Sequence, residues 1–371
     1  EYTNAIDHAQ SCTMASLRDL AILYANRAAC HIMLLEFSDA LESSRTAMGL
    51  DGTYLRGLLR AATCFSKMGR YEAAMNIYNK AYEEDLVTEK YFNTEVKEIE
   101  SIRDTLTVMA EKFSEQKHFQ GYYADDSAVH TIYRDLQEVV QKSPASVLAR
   151  RLQAEILVAT GKFSKALDTL RSCEKDLVHL PRAWSHELKA MCKLGRGDIE
   201  SAIEELKVTN GYGDEVGIDA SFEEEDCKLA QMGLRSREER NESLRLLEKI
   251  KAHKEKGNGL FQKGEQKKAA MEYTAALELS LGKLNFCGAR VRAVCLCNRA
   301  ATHQKAGNMI EAWADCSRAI ALDSKYSKAM SRRAHILSHL RLYELEKQDL
   351  VSVEVIFDRS ATYCKAQDVS L

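Results

Sequence analysis

Proline is nearly missing from this sequence. Only Pro144 and Pro181 occur in 371 residues, and aromatic side chains make up just 7%. With so few residues that interrupt a helix, and with Ala, Leu, Glu and Lys abundant, helix is favoured almost throughout. No Val/Ile/Thr-rich alternating series recurs at strand spacing, so an all-α fold is expected. No apolar run reaches the length of a membrane-spanning helix, which argues against a membrane partner. A strong excess of charge is missing too. The net charge is −3 and the pI about 6.4, so no overall basic field draws the chain to nucleic acid or to a membrane surface.

Cysteine is not scarce, but its pairing motifs are. The eleven cysteines form no CxxC pair, and most stand where a helix needs a small buried residue. Free thiols in a reducing compartment, the cytoplasm or the nucleus, are the expectation. The chain begins at Glu1 rather than Met and carries no signal-peptide pattern, so it is expected to be a piece of a longer protein.

What is present is a repeat. From Gly257 a glycine lies seven residues on (Gly264), an alanine at twelve (Ala269), an aromatic at sixteen (Tyr273) and an alanine at nineteen (Ala276). The same offsets lead from Ala300 to Gly307, Ala312, Cys316 and Ala319, and from Ala62 to Gly69, Ala74, Tyr78 and Ala81. Ala154 leads to Gly161 and Ala166, and Ala190 to Gly197 and Ala202. From Ala28 the alanines Ala40 and Ala47 fall in place, but the turn glycine does not. Ala28 to Ala62 and Ala300 to Ala334 are both 34 residues. This spacing predicts a helix of about a dozen residues, a tight turn at glycine and a second helix, with small residues at the closest approach.

The pattern resembles the tetratricopeptide repeat, in six copies plus partial ones. That resemblance implies an α-solenoid: helical hairpins stacked into a superhelix whose first helices line the concave wall. A larger symmetry relates the two ends. "EYTNAI" at 1–6 matches "EYTAAL" at 272–277, "ANRAA" at 25–29 matches "CNRAA" at 297–301, and "TYLRGLLRAA" at 53–62 matches "KYSKAMSRRA" at 325–334. The expected organisation is an N-terminal module over 1–90, middle helices and repeats over 91–208, an acidic linker over 209–235, a C-terminal module over 236–345, and a degraded repeat and tail over 346–371. Residues 94–117 read as one charged helix, and another is expected to start near Ser236.

One constellation carries chemistry. Residues four apart share a helix face, as Lys254 and Asn258 do, and Lys328 and Arg332. Asn298 lies on the first helix between them. These five match the dicarboxylate clamp of chaperone-binding tetratricopeptide domains. The resemblance implies that Lys254, Asn258 and Asn298 hold the terminal main-chain carboxylate of a Glu-Glu-Val-Asp tail. Lys328 and Arg332 would hold the last Asp side chain and nearby groups. The implied partners are heat-shock chaperones of the 70 and 90 kDa classes. A carboxylate needs converging cationic or amide donors, whose bonds are about twice as strong as neutral ones. In the first module Asn26 matches Asn298, Arg56 matches Lys328 and Arg60 matches Arg332, which makes a partial second clamp.

The order of modules, with "LNFCGARVRAVCLCNRAA" inserted before the later repeats, resembles the co-chaperones that join tetratricopeptide repeats to a DnaJ domain, the plant members above all. The His-Pro-Asp tripeptide of a DnaJ domain is missing here. A truncated C-terminus is the expected explanation, and such a polypeptide is not expected to stimulate a chaperone ATPase by itself.

Other motifs point nowhere. His335 and His339 share a face but lack the Glu of a zinc-protease helix and a third ligand. "GNGLFQKGE" has no Lys-Ser/Thr after Gly264 and no strand before Gly257. No nucleophile and base can be paired, so neither enzyme activity nor a cofactor or metal is expected. The competing function is a scaffold that assembles other proteins through its concave groove without recognising chaperone tails.

Overall fold

The computed structural model describes residues 1–11, 16–117, 127–174, 183–211, 236–281, 288–342 and 344–354, and among them there is no strand. Two compact units divide the chain, with the boundary inside one helix between Ser185 and His186.

The first unit holds α1 (Tyr2–Ser11), α2 (Leu17–Met33), α3 (Phe37–Leu50), α4 (Leu55–Lys67), α5 (Tyr71–Glu83), α6 (Glu89–Lys117), α7 (Ser127–Lys142), α8 (Val147–Ala159) and α9 (Phe163–Glu174). Consecutive helices pack as antiparallel hairpins, α2 on α3, α4 on α5 and α8 on α9. The charged helix expected over 94–117 starts earlier, at Glu89. Its Arg103 pairs with Glu72 of α5, and its Glu95 accepts a hydrogen bond from Tyr78 at 3.2 Å.

The second unit begins within α10 (Ala183–Gly195) and continues through α11 (Ile199–Gly211), α12 (Arg237–Gln262), α13 (Gln266–Ser280), α14 (Ala289–Lys305), α15 (Met309–Leu322) and α16 (Ser327–His339). Helix α12 opens where expected. Ser236 caps it with a reciprocal box, accepting from the Glu239 amide while Glu239 accepts from the Ser236 amide. Most of the acidic stretch 209–235 lies outside the described residues; positions 209–211 end α11.

The repeat register fits the structure residue by residue. Ala28, Ala62, Ala154, Ala190, Gly257, Ala300 and Ala334 are all buried, as are the alanines twelve residues further along at 40, 74, 166, 202, 269 and 312. The glycines at 69, 161, 197, 264 and 307 all have positive φ, between 69° and 85°. Glycine suits those turns because it lacks the Cβ that disfavours the left-handed region. Leu35 and Arg341 stand at the same register positions and adopt φ of 61° and 60°. The turn is therefore conserved in geometry where its glycine is not, held by hairpin packing on both sides.

The second unit does not stop at 345. Residues 344–354 are helical, and Arg333 forms two bonds to Asp349, at 2.8 and 2.6 Å. The bulk of Glu346 at a small-residue position does not end the stacking there. No helix among the described residues is long and apolar enough to cross a membrane.

Candidate peptide-binding site

Packing between small residues lets α12, α14 and α16 lie side by side, with α13 and α15 behind them. Successive helices pack throughout, and α12 also touches α14 directly, as α14 touches α16. This placement decides which polar groups meet.

Asn258 of α12 is the centre. Its Oδ1 accepts a 2.7 Å bond from the Tyr273 hydroxyl and a 3.3 Å bond from Asn298 Nδ2. With its carbonyl oxygen doubly occupied, Asn258 presents Nδ2, a donor, to whatever approaches. The Tyr273 ring is buried on Gly257, where a Cβ would stand 2.9 Å from the ring. Burial pushes the Tyr273 phenol up to about 12, with Cys295 adding to the shift and Arg332 opposing it. Tyr273 therefore stays a protonated donor at neutral pH, and the amide keeps its orientation.

The three cations differ in their partners. Arg332 donates to the main-chain oxygen of Cys297, the residue before Asn298, and its Nη1 lies 3.0 Å from Cys297 Sγ. Lys254, one turn before Asn258, is largely buried and pairs with Glu200 of α11 at 3.1 Å. Lys328 is exposed and has no side-chain partner among the described residues. The structure thus bonds Asn258 to Asn298 directly and brings Arg332 to Cys297, the residue beside Asn298. It holds Lys254 against the Glu200 carboxylate and leaves Lys328 exposed.

A buried ion pair fixes how α14 is turned. Arg299 donates to both oxygens of Asp315 on α15, at 2.7 and 2.8 Å, and to Thr274 of α13 at 2.9 Å. The Asp315 bonds, acting against desolvation, hold the Arg299 guanidinium above its ordinary pKa. Because Arg299 follows Asn298, about 100° further around the helix, its bonds to α13 and α15 fix the direction in which Asn298 points. Sequence reasoning missed this pair, along with Tyr273 and Glu200 as partners of the clamp. One signal was available: Arg299 and Asp315 recur 34 residues later as Arg333 and Asp349.

In the first unit two of the three matching residues meet. Arg60 Nη1 lies 3.4 Å from Asn26 Oδ1, so that Asn26 too offers its amide as a donor. Burial pulls the Arg60 pKa down, and the charge of Arg56 adds to the shift, against the opposing influence of Tyr54. Arg56 itself is exposed.

Metal candidates are weak. The rings of His335 and His339 lie 4.7 Å apart at a tilt of 50°, and His335 is bonded to Gln304. Among the described residues, His31, Glu36 and Asp39 lie close enough to share an ion, but both acids are exposed and Glu36 already satisfies His31 at 2.7 Å.

No protein-family model matches the chain. Among solved structures, the TPR domain of P58(IPK) superposes with a TM-score of 0.60 at 16% identity, covering 99% of this chain and 94% of that one. This is the tetratricopeptide-repeat fold. Among curated proteins, human DnaJ homolog subfamily C member 7 is 25% identical over 335 residues, which cover 90% of this chain and 59% of that protein. The Dictyostelium discoideum homolog is 22% identical over 346 residues, 92% of this chain and 56% of that protein. The chain therefore spans less than two thirds of the length of these relatives. The tetratricopeptide repeats run through both units, and the five polar residues belong to the second.

Proposed function

We propose that the second unit captures the free C-terminal end of a partner polypeptide, and that the chain serves as a co-chaperone scaffold. The ligand we infer is the Glu-Glu-Val-Asp tail of heat-shock chaperones of the 70 and 90 kDa classes. The observation that carries this reading is the state of Asn258. Its oxygen is already occupied, so Asn258 offers only its amide donor, on the same set of stacked helices as the Asn298 amide and the cations of Lys254, Lys328 and Arg332. Such a set suits a ligand rich in acceptors and anionic charge, and a chain end with an adjacent Asp supplies two carboxylates. The similarity to DnaJ homologs supports a chaperone partner. Asn26, Arg56 and Arg60 offer a second, smaller carboxylate site in the first unit. The free thiols of Cys30, Cys64, Cys192, Cys295, Cys297 and Cys316 suit the cytoplasm or nucleus.

Calorimetric titration with a free-acid Glu-Glu-Val-Asp peptide and its C-terminally amidated twin tests the proposal. The free acid is expected to bind at micromolar Kd, the scale on which few contacts offset the ordering of a short peptide. The amide should bind at least about tenfold more weakly, because one charge-assisted contact is lost. Equal binding of the two removes the carboxylate mechanism.

A further inference from the structure

The α10–α11 hairpin touches one clamp residue, Lys254, and packs on α12 and α14 beside it. Asp198 caps α11 by accepting from the Ser201 amide at 3.0 Å, which places Glu200 in the helix's first turn. From there its carboxylate reaches Lys254 Nζ at 3.1 Å. At the hairpin's tip Gly197 adopts a φ of 85° and lies so close to Arg290 of α14 that a Cβ would stand 2.9 Å from Arg290 Cγ. Arg290 is itself held, stacked 4.0 Å over the Tyr326 ring and paired with Asp323. A second pair, Lys207 with Glu248 at 2.9 Å, fastens the far end of α11 to α12. The hairpin therefore delivers an acid to a clamp cation from a seat anchored on both α12 and α14. Burial would raise the Glu200 carboxyl, but its own amide together with Lys254 and Lys251 outweighs that and holds it below the ordinary glutamate range.

We propose that Glu200 is a tethered competitor for the clamp: it occupies Lys254 while the groove is empty and is displaced when a peptide carboxylate enters. The inference rests on the clamp reading above and adds an affinity-setting residue to it. A neighbouring acid also disfavours ligands with extra negative charge near Lys254, so Glu200 shapes selectivity as well.

The test is calorimetric titration of the 371-residue chain, as wild type, Glu200→Gln, Lys254→Gln and the double variant, with the free-acid peptide. Glu200 is half-exposed, so Glu200→Gln should keep the helical circular dichroism and melting temperature of wild type. The expected result is binding about two- to fivefold tighter for Glu200→Gln, the range of a partly exposed ion pair. The gain should vanish when Lys254 is also replaced. If wild type binds and Glu200→Gln binds equally or more weakly, the competitor is refuted and the clamp stands. If neither binds, the clamp reading falls and takes the competitor with it. Binding by Glu200→Gln alone would support the competitor in its strongest form.

Discussion

A chain carrying Lys328→Glu should bind the free-acid peptide about a hundredfold more weakly than wild type, with stability unchanged. Lys328 is exposed and has no side-chain partner among the described residues, so its replacement disturbs no internal contact. A charge-assisted hydrogen bond contributes about 1.5–3 kcal/mol, and a glutamate in its place adds repulsion to the loss. Lys325→Glu, also on the exposed surface near the start of α16, is the control for net charge and should change affinity less than about threefold. Calorimetry gives both affinities, and thermal denaturation checks that neither variant is destabilised. Equal effects of the two substitutions would show that general charge, not a clamp, governs binding.

Replacing Asp315 should cause a large stability loss. Asp315 is buried and receives both nitrogens of Arg299 as well as Arg318 at 3.2 Å. Asp315→Ala leaves Arg299 largely buried without its counter-charge, which costs about 3 kcal/mol or more. In urea the midpoint should fall at unchanged slope. Peptide affinity at temperatures where the variant remains folded should fall too, because Asn298 loses the neighbour that fixes its direction. A stability loss under about 0.5 kcal/mol, the midpoint shift multiplied by the slope, would mean that Arg299 finds another acceptor.

The fold was readable because its rule is local and periodic. Close approach of paired helices demands Gly or Ala at fixed offsets, and those residues can be counted in one sequence. Leu35 and Arg341 show where counting stops: the left-handed turn persists without glycine because packing on both sides imposes it. The same holds after residue 345, where Glu346 breaks the small-residue rule while the Arg333–Asp349 pair carries the stacking on. Asn258 and Asn298 were singled out by type and position, but their orientation was not readable. It is set by a hydroxyl fifteen residues along the chain, at Tyr273. Glu200 was invisible for a different reason. It lies 54 residues before Lys254 in another hairpin, and no local spacing relates them.

The most direct measurement is a nitrogen–proton NMR titration that follows the side-chain amides of Asn258 and Asn298. Both sets of signals should shift on addition of the free-acid peptide and saturate together at the calorimetric Kd, while the amidated peptide leaves them in place. If the free-acid peptide binds and these two amides stay still, the groove does not receive the chain end through them, and the clamp account is contradicted.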